Sequence, residues 1–210
     1  MWELLAHGGL IMWIILGASF IGALIFLERL FHLHRAQISA SDFLEGIYNV
    51  LRRRNVVEAV SICEETPGPV AHIVRTAILC GDQEREQIAE AIEEAGLAEI
   101  PRLERNVALL ATIAQVTPLL GLLGTILGMM ESLWVIHQRA PLVSANDVAG
   151  GLWQALSTSA AGLAVAIPLY VGYNFLLHRL ESILLDMERA SVDILAFLSK
   201  PAVPVEVDES

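Results

Sequence analysis

Hydroxyl groups inside charge-free apolar runs are the side chains of this sequence with the clearest chemical potential. Thr117 and Thr125 lie along one such run, Ser132 lies just beyond its end, and Thr158 and Ser159 lie in another run. A hydroxyl does not titrate near neutral pH, but it donates one hydrogen bond and accepts others. In an apolar medium each such group needs a partner. These hydroxyls are therefore candidates for hydrogen bonds to a carboxyl group or to water within a membrane.

The spacing of the hydroxyls places them on one face of each predicted helix, together with small residues. Residues three and four apart share a helix face, and the first run shows this spacing at Thr117, Gly121, Gly124, Thr125, Gly128 and Ser132. The second run repeats it before Pro168, at Gln154, Thr158, Ser159, Gly162 and Ala166. Two interpretations stay open: the small residues allow close helix packing, as Gly124 and Gly128 would, or the polar faces line an internal cavity.

Asp, Glu, Lys and Arg are absent from these runs, apart from Glu28 and Glu131 at their ends. Machines driven by ions normally carry an ionisable residue near the middle of the membrane. If the hydroxyl-bearing faces serve ion passage, the carboxylate must therefore belong to another polypeptide, which predicts a hetero-oligomer. The sequence also shows no nucleophile–base pair, metal-ligand spacing or phosphate loop, so we expect no catalytic residue, metal or cofactor.

The runs that carry these side chains are long enough to cross a bilayer. The 210-residue chain is 55% hydrophobic and 18% charged, with a mean hydropathy of +0.57. Charge-free stretches cover roughly residues 4–27, 107–130 and 148–177, and about 20 apolar residues suffice for one span. The sequence thus predicts an all-α membrane protein with three spans, in which the second and third belong to long helices that extend into a cytoplasmic helical region.

The distribution of basic residues predicts the topology. Nine of the 13 Lys and Arg residues lie between spans one and two, so that segment is predicted to be cytoplasmic, with the N-terminus outside and the C-terminus inside. Span one opens with Glu3 rather than a basic cluster, which favours an uncleaved anchor over a signal peptide.

The net charge of −11 does not favour binding to nucleic acid, which requires a basic surface. Cys63 and Cys80 are predicted to be free thiols on the reducing side.

The predicted organisation follows from these runs and from the residues between them. Residues 1–28 form span one with a periplasmic N-terminus, 29–106 a cytoplasmic helical domain, 107–135 span two, 136–147 a periplasmic loop, 148–178 span three, 179–200 a cytoplasmic helix extension and 201–210 a disordered tail.

Two long stretches of this sequence resemble the paired signatures of the ExbB/TolQ/MotA family, the proton-channel subunits of inner-membrane motors. They are "VTPLLGLLGTILGMMESL" and "GGLWQALSTSAAGLAVAIPLYVGYN", and "ERLFHLHRAQ" after span one also fits ExbB and TolQ. The order of three spans and the large cytoplasmic segment agree with these two branches, whereas flagellar stators of the MotA type have a fourth span. The resemblance implies a multi-pass protein of the bacterial inner membrane.

The resemblance also implies partners and a pore. In this family five copies surround a dimer of an ExbD- or TolR-like single-span subunit, whose helix carries an aspartate, and a TonB- or TolA-like protein receives the energy. The family's pore hydroxyls fall on Thr125, Thr158 and Ser159, and Gly121 and Gly128 lie on the same faces. Gln154 stands where the family often has glutamate, which places a direct proton relay there in doubt. Pro118 and Pro168 match family prolines, while Gly124 and Gly162 are expected to serve packing.

Several alternatives remain at this stage. Sodium is a second candidate ion, and the process that is powered, whether TonB-linked uptake, envelope maintenance or motility, is undetermined. A passive scaffold that stabilises a partner without moving ions is the rival from another functional class. A membrane-embedded enzyme is disfavoured because no suitable residues lie in or near the spans.

Overall fold

The computed structural model describes residues 9–36, 40–142 and 144–199, and all regular structure within these ranges is helical. The predicted disordered tail, 201–210, and the first eight residues of the predicted span one lie outside the described residues. The seven helices are α1 (Gly9–Ala36), α2 (Ala40–Arg52), α3 (Val56–Glu65), α4 (Pro69–Leu79), α5 (Arg85–Glu104), α6 (Val107–Arg139) and α7 (Ala145–Leu198). The all-α prediction is therefore confirmed.

Three of the helical stretches are long and apolar enough to cross a membrane. The first lies in α1, the second covers α5 and α6, and the third lies in α7. The charge-free runs predict these positions, and the chain is a multi-pass membrane protein. The predicted span three and the predicted helix extension after it form one continuous helix, the 54-residue α7. Helix also reaches further into the predicted periplasmic loop than expected, because α6 ends at Arg139 and α7 begins at Ala145. The sides of the membrane on which the termini lie stay a prediction.

Helices α5 and α6 are separated by a short break that the sequence did not reveal. Pro101, of a residue type that commonly interrupts helices, lies inside α5, where it removes one backbone hydrogen bond without ending the helix. The break comes at Asn106, which has a φ of 65° and precedes the first residue of α6. Asparagine adopts this left-handed conformation more readily than most residues.

The chain divides into two compact units. The first, which we call the spanning unit, comprises residues 1–30 and 105–177, and the second, the helical unit, comprises 31–104 and 178–210. In the spanning unit Leu110, Ala114, Leu169 and Leu176 form a buried cluster. Phe26 of α1 packs against this cluster. The three spans are thus held together by apolar contacts.

The helical unit packs helices α2 to α5 in sequence order, each against the next. Asn55 begins α3: its side-chain oxygen accepts a hydrogen bond from the Glu58 backbone N–H at 3.3 Å, as expected at a helix start. Tyr48 stacks on Phe197 of α7 with ring centroids 4.5 Å apart. Cys63 is buried and Cys80 is half-buried, and neither forms a disulfide within the described residues. Their location on the reducing side stays a prediction.

Candidate functional site

The small-residue faces of spans two and three pack against each other in the spanning unit. Buried positions on α6 recur at Thr117, Gly121, Gly124, Gly128 and Ser132. The contacts run in opposite directions along the two helices: Gly128 lies beside Gly151, and Thr117 lies beside Gly162. The helices are therefore antiparallel, and the two faces predicted from spacing meet within one chain.

Glycine is required along this contact because the backbones approach closely. A Cβ built on Gly128 would lie 2.6 Å from the Gly151 carbonyl oxygen and 2.8 Å from the Ala155 nitrogen. A Cβ on Gly162 would lie 3.0 Å from the Gly121 Cα. Such distances leave no room for a methyl group. The packing role expected of Gly124 and Gly162 thus has a direct steric basis, and Gly121 and Gly128 share it.

The hydroxyl groups along the contact donate their hydrogen bonds to backbone carbonyls. Thr158 Oγ1 lies 2.9 Å from the Gln154 oxygen and 3.0 Å from the Ala155 oxygen. Thr117 Oγ1 donates to the Ile113 oxygen at 2.6 Å. Threonine in a helix commonly bonds to the carbonyl four residues earlier. A partner outside the helix is therefore not needed to satisfy these donors.

Two hydroxyls also connect the spans. Thr125 Oγ1 is 3.1 Å from the Gly121 oxygen on its own helix and 3.4 Å from the Ala155 oxygen on α7. Ser132 Oγ is 3.2 Å from the Gly128 oxygen and 3.1 Å from the Val148 oxygen on α7. These shared hydrogen bonds fasten α6 to α7 at two levels. The hydrogen bond of Ser132 to α7 was not predicted, because the sequence showed Ser132 only as one of several small or polar residues on the same helix face.

Exposure separates the predicted pore residues into two groups. Thr158 is 1% exposed, and Gly121 and Gly128 are buried between the helices. Thr125, Gln154 and Ser159 are only partly buried, so each retains surface that another molecule can contact. The pore assignment of all six residues stays a prediction, because the contacts within one chain do not test it.

Ser159 and Gln154 differ from Thr125 in their hydrogen bonding. Within the described ranges, neither side chain forms a hydrogen bond, whereas the single O–H of Thr125 is already donated. A Cβ built on Gly121 would lie 3.3 Å from the Ser159 Cα, so Ser159 lies beside the turn of α6 that precedes Thr125. Gln154 Nε2 lies against Gly9 at the first described turn of α1. The partly exposed polar groups thus occupy successive levels of the α6–α7 pair.

The two predicted prolines lie within their helices. Pro118 is half-buried in α6 and Pro168 is exposed in α7, and both helices continue past them. Within the described residues no group of His, Cys, Asp and Glu is arranged to hold a metal ion.

Arg29, used in the sequence analysis only for topology, proves to be 4% exposed in the spanning unit. Its Nη2 lies 3.8 Å from Glu28 Oε1, and its Nε and Nη1 have no partner among the described residues. Burial without a close partner is costly for a charge. Sequence reasoning had no signal for this burial, because a charged pair such as Glu28 and Arg29 is ordinary at the end of a charge-free run.

Comparison with known proteins identifies relatives along most of the chain. Residues 65–189 match the model of the MotA/TolQ/ExbB proton channel family. A putative biopolymer transport protein ExbB homolog of Methanothermobacter thermautotrophicus is 29% identical over 182 residues, which are 85% of this chain and 63% of that protein. The chain thus spans less than two thirds of that relative's length.

Two further relatives come from bacteria. A putative biopolymer transport protein ExbB-like 3 of Synechocystis is 30% identical over 161 residues, 76% of this chain and 77% of that protein. The Tol-Pal system protein TolQ of Haemophilus influenzae is 40% identical over 85 residues, 40% of this chain and 37% of that protein. With the family signature covering both packed spans, the chain belongs to the MotA/TolQ/ExbB proton channel family.

Proposed function

We propose that this chain is a proton-channel and motor subunit of the bacterial inner membrane, which uses the proton motive force to energise a partner that reaches into the periplasm. Membership of the proton channel family supports this function. Two observations carry it together: there is no Asp, Glu, Lys, Arg or His between residues 107 and 130 or between 148 and 177, and half-buried hydroxyls lie on those same spans.

The lack of an acidic side chain in spans two and three supports a partner that supplies one, and the family suggests which kind of partner it is. We infer that the acid is an aspartate on the single transmembrane helix of an ExbD- or TolR-like subunit, and that five copies of this chain surround two such helices. Energy then passes to a TonB- or TolA-like protein. Spans two and three would line the central space, because they carry the polar groups that a carboxyl group needs in a membrane.

Thr125 and Ser159 are suited to opposite charge states of that carboxyl group. The O–H of Thr125 is shared between the Gly121 and Ala155 carbonyls, so its free lone pairs are left to accept a hydrogen bond from water or from a protonated acid. Ser159 has an O–H that is not engaged by any described residue, and it can donate to the carboxylate. One position thus stabilises the neutral acid and the other the charged one.

The remaining predicted residues take supporting roles in this proposal. Gly121 and Gly128 let α6 and α7 approach, and Thr158 holds its hydroxyl inside the pair, so these three form the wall behind the pore surface. Gln154 contributes hydrogen bonds near the start of span three but does not titrate, unlike the glutamate often found there. Each proton moved yields about 2.3 kcal/mol per 100 mV of membrane potential, so mechanical work requires several protons.

The proposal is tested by removing the two hydroxyls without changing their volume much. We expect Thr125→Val combined with Ser159→Ala to abolish most partner-dependent proton flux, since each lost hydrogen bond costs about 0.5–1.5 kcal/mol, or roughly two- to tenfold in rate. Thr125→Ser combined with Ser159→Thr keeps both hydroxyls and should retain flux. Equal flux in both double variants, at equal amounts of assembled complex, would remove the pore assignment.

A passive scaffold is the second candidate function. It is favoured by the contacts within the α6–α7 pair, where the glycines and most hydroxyls already serve packing. The two functions differ in their need for a gradient. If the partner protein works equally well in cells before and after a protonophore collapses the proton gradient, the chain is a scaffold; loss of partner function on collapse supports the motor.

A further inference from the structure

The helical unit contains an open apolar groove that no part of the site described above uses. Its volume is about 550 Å³, within the size range of pockets that receive ligands or several side chains. Ile92, Gly96 and Ile100 of α5 form one wall, and Leu184, Met187 and Leu195 of α7 form the other. The exposed Val192 extends the apolar surface on the α7 side.

Two carboxylates border this groove, one on each wall. Glu93 belongs to α5 and Glu188 to α7, and both side chains are exposed. Neither has an ion-pair or hydrogen-bond partner among the described residues, whereas the neighbouring Arg189 lies 3.9 Å from Asp186. The groove therefore combines an apolar floor with unpaired negative charge, which fits an apolar segment that carries basic residues.

The chain itself presents a segment of this kind in the same unit. The corner between α2 and α3, which we define as residues 52–57, has the sequence RRRNVV. Arg52, Arg53 and Arg54 are exposed and form no ion pair with any described residue. Val57 is 82% exposed and Val56 is 48% exposed. An apolar pair next to unpaired arginines complements the apolar floor and the negative charge of the groove.

The corner is a defined element of the helical unit. The Arg53 and Arg54 backbone N–H groups donate to the Val50 and Leu51 oxygens at 3.0 and 2.9 Å. Asn55 Nδ2 donates a hydrogen bond to the adjacent Glu58 carboxylate at 2.6 Å. A fixed projection loses little conformational freedom on docking.

We propose that the groove between α5 and α7 receives the α2–α3 corner of a second copy of this chain. The corner and the groove are different surfaces, so the contact is head-to-tail, and repetition of a head-to-tail contact closes into a ring when the rotation permits. Glu93 and Glu188 pair with the arginines of the neighbour while Val57 enters the apolar floor. The contact rests on the assembly of several copies proposed above, but its test requires neither proton flux nor a partner subunit.

Site-directed cross-linking between two differently tagged copies of the full chain tests the contact in membranes. In a Cys80→Ser background, one copy carries Val57→Cys and the other carries Val192→Cys. We expect oxidation to give a product that bears both tags, of about twice 22.9 kDa. Leu79→Cys, at a position that is 59% exposed, replaces Val57→Cys as the matched control and should give no such product.

Charge reversal then tests the electrostatic part of the contact. Arg53→Glu in the first copy should lower the doubly tagged product by up to about fivefold, the effect of one exposed ion pair, and Glu93→Arg in the second copy should restore it. The proposal is overturned if the Val57 and Leu79 pairs give equal product, if restoration fails, or if Val192→Cys is captured by a different protein instead.

Discussion

At the scale of single residues, the direction of each hydrogen bond decides what a hydroxyl can contribute. Thr125 donates to two carbonyls and is left as an acceptor, while Ser159 keeps its donor. The sequence predicted both as hydrogen-bonding groups but could not distinguish them, because the distinction depends on which carbonyl oxygens the helix pair places within reach. At these two positions an exchange between serine and threonine therefore keeps the hydroxyl group, and an exchange to valine or alanine removes it.

Cys63 and Cys80 provide a residue-scale prediction about the helical unit. Burial raises the pKa of the Cys63 thiol from 9.0 to about 11; Arg75 opposes this rise and Glu64 adds to it. A raised pKa means that the thiol holds its proton at pH 8, with about one molecule in a thousand ionised. We expect N-ethylmaleimide at pH 8 to modify the half-buried Cys80 at least tenfold faster than Cys63, as measured by mass spectrometry of the membrane-embedded chain.

The control for this labelling is the same chain unfolded in detergent, in which both thiols should react at comparable rates. Raising the pH toward 11 should speed modification of Cys63 in the folded chain. Equal rates for the two thiols at pH 8 in the folded chain would show that the helical unit does not pack around Cys63 as described.

At the scale of helices, the pattern of apolar and small residues was sufficient to predict where the spans lie but not which surfaces they contact. Charge-free runs predicted α1, α6 and α7, and the spacing of glycines predicted one small face on each of the last two. Whether such a face turns toward a sister helix or toward a lumen could not be predicted, because both require small residues. The break at Asn106 was also missed, since the neighbouring Pro101 is the stronger signal.

Gly128 and Gly150 give a matched pair for testing the α6–α7 contact. A methyl group at Gly128 would meet the backbone of α7 at 2.6–2.8 Å, whereas one at Gly150 meets nothing within 4 Å. We expect Gly128→Ala to destabilise the protein by about 1–3 kcal/mol, as overpacking does. Gly150→Ala should be neutral or slightly stabilising because alanine favours helix.

Thermal unfolding of the two variants in detergent, followed by size-exclusion chromatography, measures this difference. A lower midpoint for Gly128→Ala alone supports the packing described for the spanning unit. Midpoints that fall equally in both variants, or in neither, would contradict it.

At the scale of the whole molecule, the proposed function divides two tasks: this chain supplies hydrogen-bonding groups within the membrane, and a partner supplies the acid that carries the proton. Its second and third spans hold hydroxyl and amide groups but no Asp, Glu, Lys, Arg or His between residues 107 and 130 or between 148 and 177. The family and the multi-pass architecture were accessible from sequence because both depend on long, strongly patterned segments. The groove beside α5 and α7 was not, because it requires the packing of helices that are distant in sequence.

Proton flux into liposomes is the most direct test of this division. The chain is reconstituted alone, with its single-span partner, and with a partner whose membrane aspartate is replaced by asparagine. We predict flux only when the chain and the acidic partner are both present. Flux of equal size from the chain alone, or with the asparagine variant of the partner, would contradict the account.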